Sequence, residues 1–209
     1  MTLRARHAEV TRRTVLEAAR RLFAERGYQG TTIAELADEA GVAVQTIYTS
    51  IGSKRGAVVA LVDAIDEEAG IPALAPRMAQ ATQPSEMVAT LVQLTRQIQE
   101  RCGDIIQALA SAATVESELA PTLEEGFRRH RAGSERMAGR LAELGALRAD
   151  VPEQRAAGVI DLLTSHETYM KLTRGCGWSF DECEEWINAT LSTLLLRGTE
   201  TTPSSSAAT

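Results

Sequence analysis

The residue pattern predicts an all-α protein of about nine helices: a small N-terminal domain of three helices with a helix-turn-helix, then a larger helical body. Three observations predict it. Apolar residues recur at i, i+3, i+4 and i+7 in segment after segment, and no stretch alternates in the two-residue period of a strand. Residues Thr32 to Lys54, TIAELADEAGVAVQTIYTSIGSK, spell two short helices joined by a glycine turn, followed by the start of another helix. The charge is also unevenly spread: residues 1–60 hold nine Lys or Arg against six Asp or Glu, a net +3, within a chain of net charge -6. A weakly basic head therefore sits on an acidic body of -9. Such a head can still meet phosphates, because salt screens beyond about 8 to 10 Å.

In chain order, the first helix runs from about Ala8 to Arg26, with Val15, Ala18, Ala19, Leu22 and Phe23 as its apolar stripe and Gly27 as its stop. Arg12, Arg13, Arg20 and Arg21 lie mostly off that stripe, as a solvated charged face would. Arg4 and Arg6 precede the helix and read either as an arm for phosphate or a minor groove, or as a loose terminus. Thr32 followed by Glu35 fits a capping box, in which each side chain satisfies an otherwise orphaned amide at the helix start. Ile33, Leu36, Ala37 and Ala40 form the stripe of that helix. Gly41 ends it, since glycine enters the left-handed conformation without a Cβ penalty. Val44, Ile47, Tyr48 and Ile51 repeat the spacing in the next helix and leave Gln45, Thr46 and Thr49 outward, an uncharged face rich in hydrogen-bonding groups. Gly52 stops this helix, and Ser53 caps a fourth containing Val58, Leu61, Val62 and Ile65.

Beyond Gly56 the reading is of long helices punctuated by Pro and Gly. Pro72 and Pro76 are expected to end the fourth helical region, and Pro84 to open a fifth containing Met87, Leu91, Leu94 and Ile98. Gly103-Asp104 is expected to start a sixth helix running to about Val115. Pro121 opens a seventh, to about Leu147. Pro152 precedes an eighth, to about Arg174, and Ser179 caps a ninth ending near Leu196. The apolar arcs of the last two, Val159, Ile160, Leu162, Leu163 and Leu172, then Phe180, Trp186, Ile187, Leu191, Leu194, Leu195 and Leu196, are wider than one core-facing stripe needs. The tail from Gly198, TETTPSSSAAT, is too polar to pack and reads as disordered.

With 209 residues, 44% of them apolar, and a mean hydropathy of -0.12, the chain is large enough for a substantial core. No stretch approaches the roughly 18 apolar residues of a membrane helix, and Arg4, Arg6, His7 and Glu9 interrupt any signal-peptide core, so a cytoplasmic protein is expected. Cys102, Cys176 and Cys183 are odd in number and lack CxxC spacing, which argues against a disulfide framework or zinc site.

The run from Thr14 to Asp63, with AARRLFAERGYQGTTIAELADEAGV followed by TIYTSIGSKRGAVVALVD, resembles the N-terminal DNA-binding domain of the TetR family of transcriptional regulators. Phe23, Gly27, Tyr28, Thr32, Ile33, Ala37, Gly41, Tyr48 and Lys54 carry the resemblance at the family's spacing. Ile51 departs from it, standing where the family usually has an aromatic; a large apolar residue there implies local repacking.

The resemblance implies a domain of residues 1–55 that binds DNA, a body of residues 56–197 that binds a ligand and dimerises, and no catalysis and no cofactor. Gln45 is the base reader it suggests, since an amide can pair bidentately with adenine; Thr46, Tyr48 and Lys54 match positions that touch phosphate, Val44 and Thr49 could meet a thymine methyl, and Thr32 is either cap or contact. Tyr48 fits a core position equally. The implied partners are double-stranded DNA with a palindromic operator, a second copy of the chain joined through the eighth and ninth helices, and a small molecule; no membrane is implied. Met87, Leu91, Gln107, His166, Tyr169 and Met170 combine apolar bodies with isolated polar groups and are the residues expected to line the pocket, if they are not ordinary core. A rival reading assembles His130, His166, Glu167, Tyr169 and Glu118 into a metal or acid-base site, but no metal-binding spacing joins them. A helical adaptor binding protein through the acidic body is a third reading, and it leaves the helix-turn-helix without a purpose.

Overall fold

The computed structural model describes residues 2–197, in which eleven α-helices form two packed layers of core. They are α1 (Leu3–Arg26), α2 (Ile33–Ala40), α3 (Val44–Ile51), α4 (Lys54–Asp63), α5 (Ile65–Glu68), α6 (Ile71–Gln80), α7 (Pro84–Ala113), α8 (Ala120–Glu143), α9 (Glu153–Leu163), α10 (His166–Met170) and α11 (Phe180–Leu195). A 3-10 turn, Ser117–Leu119, precedes α8, and a π-helical turn, Lys171–Gly175, continues α10. A single antiparallel bridge, Leu147 with Leu196, ties the end of α11 to the loop after α8. The tail expected to be disordered lies outside the described residues.

The local signals read from the sequence hold through the head. Thr32 Oγ1 accepts from the Glu35 amide at 3.2 Å while Glu35 Oε2 accepts from the Thr32 amide at 2.8 Å, so the capping box is complete. Gly41 takes the left-handed conformation at φ 65° that lets the chain turn from α2 into α3. The same reciprocal cap, Ser179 with Glu182, starts α11.

Four expectations change, which is why the helix count is eleven and not about nine. Helix α1 begins at Leu3, five residues before the expected start, so Arg4 and Arg6 belong to a helix and not to an arm. Pro72 and Pro76 do not end a helix; they lie within α6. Pro72 sits in the first turn, whose amides have no intrahelical partner in any case, and Pro76 removes only one ladder bond. Gly103 does not start a helix, because α7 runs unbroken for 30 residues and buries Gly103 beneath His166. The glycine costs about 0.5–1 kcal/mol relative to alanine, less than the packing on either side returns. The expected eighth helix breaks at Thr164, whose hydroxyl bonds back to the Ile160 carbonyl at 2.8 Å, and Ser165 then caps α10 by accepting from the Thr168 amide at 3.2 Å.

The core is divided along α7. Its second half, with Cys102, Ile105, Ala108, Leu109 and Ala112, packs with Val15, Leu22, Phe23, Tyr28, Leu36, Ile47 and Val58 of the head. Its first half, with Met87, Val88, Leu91 and Val92, packs with Met137, Leu141, Ile160, Tyr169, Ile187, Leu191 and Leu195 of the body. One continuous helix thus serves both cores, because the stripe that Gly103 seemed to interrupt carries straight through.

Candidate nucleic-acid interface

The second helix of the turn motif, α3, is held against α1 and α2 by only two fully inward residues, Ile47 and Ile51. Ile51, where the family favours an aromatic, is buried, so repacking without loss of the helix is what the geometry displays. The periodicity had placed Val44 and Tyr48 on the same stripe. That placement is corrected: Val44 is 42% and Tyr48 48% exposed. The physical reason is that α3 is eight residues long and two short neighbours cover a narrow arc of it, one residue per turn. Val44, Gln45, Tyr48 and Thr49 consequently share one open face, with Thr46 half-buried at its edge. The Thr49 hydroxyl donates to the Gln45 carbonyl at 2.6 Å, which spends its polar hydrogen within the helix. Gln45 forms no side-chain hydrogen bond among the described residues, and no side chain caps the helix start at Ala43.

Lys54, expected at a phosphate, makes contacts within the head. Its Nζ donates to the Tyr28 carbonyl at 2.8 Å and to the Thr31 carbonyl at 2.9 Å, and lies 4.1 Å from the centroid of the Tyr28 ring. Partial burial lowers its pKa. Two of its three donors are therefore committed to the loop between α1 and α2, and the residue ties that loop to the start of α4. Thr32 is likewise engaged, its hydroxyl donating to Glu35 at 2.8 Å as well as capping. Hydrogen bonds from the Thr32 amide and hydroxyl hold the Glu35 carboxyl below its ordinary pKa.

Polar contacts set the head against α7 and the turn that follows it. Arg20 Nε donates to Asp104 at 2.5 Å, and the same guanidinium reaches Glu68 and the Arg101 carbonyl; Asp104 raises its pKa further. Tyr28 donates its phenol to Glu116 at 3.0 Å, and burial, then this carboxylate, raise the phenol pKa. Arg55 pairs with Glu118 at 2.7 Å. No sequence signal marked Tyr28, Arg20 or Glu116 as partners, since they are 84 and 88 residues apart along the chain.

The six residues expected to line a ligand pocket divide. Met87, Leu91 and Tyr169 are buried in the second core, where the Tyr169 phenol lies 3.4 Å from the Thr95 hydroxyl and burial raises its pKa to about 12. Met170 is half-buried. His166 and Gln107 meet at 3.4 Å, and His166 Nδ1 lies 2.7 Å from Gln99, a partner the sequence did not suggest. Gln107 is exposed, so this polar cluster opens to the surface instead of lining an enclosed space. Burial lowers the His166 pKa. An open groove of about 600 Å³ between α8 and α9, lined by Arg131, Glu135, Glu153, Gln154, Ala157, Gly158 and Asp161, touches none of the six. His130 contacts Asp161 and Thr164, apart from the His166 cluster, and no group of three or more His, Cys, Asp or Glu among the described residues is arranged to hold a metal. No described helix is long and apolar enough to cross a membrane.

Comparisons with known proteins agree with this geometry. Residues 15–61 match the model for bacterial regulatory proteins of the tetR family. Over 60 residues the chain is 42% identical to the HTH-type transcriptional regulator TtgR of Pseudomonas putida, and a second Pseudomonas putida regulator, ArpR, matches at the same level. Each match covers 29% of this chain and 29% of the relative. Across nearly the whole length the fold is similar to that of a gamma-butyrolactone receptor (TM-score 0.71, 21% identity, 92% of each chain). It is similar also to SmeT in its triclosan complex (TM-score 0.68, 17% identity, 96% of this chain and 98% of that one). The fatty acid degradation regulator FadR of Bacillus halodurans aligns over 87% of this chain and 94% of its own, at TM-score 0.66 and 17% identity. The head thus matches the tetR regulatory-protein model over residues 15–61, and the whole length shares the fold of these solved structures.

Proposed function

We propose that this protein is a DNA-binding transcriptional repressor that grips a palindromic operator as a homodimer and lets go when a small molecule enters the body. The observation that carries the reading is the open face of α3, where Val44, Gln45, Tyr48 and Thr49 stand clear of the core on a helix whose orientation is held by Ile47 and Ile51. A short helix that presents an unpaired amide, a phenol and two methyl-bearing side chains matches the chemistry of base edges in a major groove. Gln45 reads the base, Tyr48 and Thr46 reach phosphate, and Val44 and Thr49 meet thymine methyls. Lys54 and Thr32 hold the loop between α1 and α2 and the start of α2.

Homodimerisation through the last helices is favoured by an apolar surface on α9 and α11. Leu162 is 65%, Trp186 40% and Leu194 46% exposed, on helices that also carry Ile160, Ile187 and Leu191 into the core. Two heads then read two half-sites related by a two-fold axis. For the sensing role, residues 56–197 act as the body and residues 1–55 as the reader, joined by α7. SmeT is known in complex with triclosan and another structural neighbour is a gamma-butyrolactone receptor; the largely apolar second core around Met87, Leu91 and Tyr169 favours a hydrophobic small molecule here too. The ligand must bind the released state more tightly than the bound one to shift the balance.

The test is selection of duplexes from a random pool by the full chain, followed by light scattering of the free protein and binding assays with a panel of hydrophobic small molecules. The expected result is a palindromic consensus, a dimer, and weaker binding with at least one compound. A non-palindromic consensus bound by a monomer would overturn the reading.

A further inference from the structure

The two helices of the turn motif are fastened to α1 unequally. Helix α2 is tied at both ends: Arg26 pairs with Glu35 in its first turn at 2.8 Å, and Arg21 with Glu39 in its last at 2.9 Å. It also begins in a complete capping box. Helix α3 has neither support at its start, where Ala43 provides no side-chain cap and the reading residues Val44 and Gln45 stand exposed. Its buried side chains are Ile47 and Ile51 alone. Among the described residues, one side-chain hydrogen bond joins α1 to α3: Arg12 Nη1 donates to the Ser50 carbonyl at 2.6 Å.

That bond falls where a cation is favoured. The last four carbonyls of a helix have no intrahelical partner, and this end carries partial negative charge. In α3 the Tyr48 carbonyl accepts from the Gly52 amide at 3.0 Å, and the Ile51 carbonyl from the Ser53 amide at 2.8 Å. Arg12, half-buried, supplies the donor for the Ser50 carbonyl between them. The contact also lies off the apolar line of the helix. Ile47 and Ile51 follow one another along one side of α3, and contacts on a single line leave a short helix free to roll about it. Ser50 is turned about 100° from Ile51, so a bond there opposes that roll. From Ser50 to Gln45 is about 7.5 Å along the axis, and a tilt of roughly 10° at Ser50 displaces Gln45 by about 1.3 Å. Good hydrogen-bond lengths span only about 0.5 Å.

Resting on the reading of α3 as the base reader, we propose that Arg12 is a positioning residue for that reading: its bond to the Ser50 carbonyl fixes the tilt and roll of α3, and with them the placement of Gln45 on its base. Arg12 touches no DNA in this role. It bears on which bases are preferred, and not on the salt-dependent part of the affinity.

The experiment compares the full-length wild type with Arg12→Met and Arg12→Lys, on the duplex selected by the wild type and on duplexes with single-base changes. Binding is titrated from about 50 to 200 mM salt, and thermal melting is followed by circular dichroism. Methionine keeps the stem and the helix propensity. One bidentate pair discriminates by about 5- to 150-fold. In Arg12→Met that preference should shrink severalfold at more than one base position, while the salt slope stays that of the wild type. Arg12→Lys should recover most of the preference, because an ammonium also donates to a helix-end carbonyl. Arg21→Met, which removes a tie to α2, should keep the preference in full. A lowered melting temperature with unchanged preference in Arg12→Met makes the residue structural only and overturns the proposal. So does a slope shallower by about 2 per dimer, one phosphate for each head, or a lysine variant no better than methionine. Gln45→Ala separates the two ideas: if it loses base preference while Arg12→Met keeps it, the α3 reading stands and the positioning role falls. If both variants keep the preference, or the wild type selects no duplex, both ideas fall.

Discussion

The two ends of α7 meet very different surroundings. Around its second half the head is bound by directional contacts, Arg20 to Asp104, Tyr28 to Glu116 and Arg55 to Glu118, laid over an apolar core. Around its first half the body core is mostly apolar, with the Thr95 and Tyr169 hydroxyls 3.4 Å apart within it, and Arg96 pairs with Asp181 and Glu184 of α11. Hydrogen bonds and ion pairs fix an orientation, whereas aliphatic packing tolerates rearrangement of similar volume. The head is thus tied to α7 and the turn after it by three polar contacts, whereas the body leans more on apolar packing, with Arg96 as its ionic tie to α11.

The comparison can be broken most forcefully in its cores. Ile47→Ala in the head and Leu191→Ala in the body each remove a fully buried side chain and should cost about 2–5 kcal/mol. If α7 makes the cores cooperate, urea denaturation followed by circular dichroism gives one transition shifted by either substitution; two transitions, only one of them moving, would separate them. Next in size is the reading face. Gln45→Ala should leave stability within about 0.5 kcal/mol of the wild type, because Gln45 is exposed. It should also lower discrimination at one base position by about 1–3 kcal/mol, as measured by competition between duplexes.

The supporting contacts come third. Lys54→Met keeps the stem but deletes two hydrogen bonds to carbonyls, for an expected loss of about 1–2 kcal/mol. Its salt slope should match the wild type; a shallower slope would return Lys54 to the phosphates. Arg20→Met should cost a similar amount and weaken DNA binding without changing base preference, since it loosens the set of the head on α7. The smallest effect is the cap. The Glu35 carboxyl has its pKa lowered in the folded state from 4.5, so its stabilisation is present above about 4.5 and is lost as pH falls through the folded value. Glu35→Gln should therefore flatten the acid side of the stability profile, and Glu182→Gln should do the same for the matching cap of α11.

Much of the head could be read from its residues because its signals are local. Thr32 and Glu35 are three residues apart, Gly41 needs only its own backbone, and the stripe of α2 repeats within two turns. The outward face of α3 was legible to the same depth: Gln45 and Thr49 are exposed as their spacing implied. Tyr48 and Val44 could not be assigned from period alone, since the width of the buried arc depends on how many neighbours α3 has. The contacts of Lys54 were hidden for a related reason: a cation near a helix start suits a phosphate, and only the folded chain brings the Tyr28 and Thr31 carbonyls within reach of it.

In the body, punctuation misled. Pro76 and Gly103 look like breaks, yet both lie inside helices, because the loss of one ladder bond or a little backbone entropy is outweighed by burial along the whole length of α6 and α7. The sequence by itself determined the all-α class, the helix-turn-helix with its caps and glycine turn, and the excess of basic charge at one end, since each is set by neighbours within a few residues. Only the tertiary structure decided that α7 is one helix shared by two cores and that Arg20 and Arg55 of the head pair with acidic residues far along the chain. It alone also set Arg12 against the Ser50 carbonyl, because ion pairing, hydrogen bonding and burial depend on which distant residues the fold brings together.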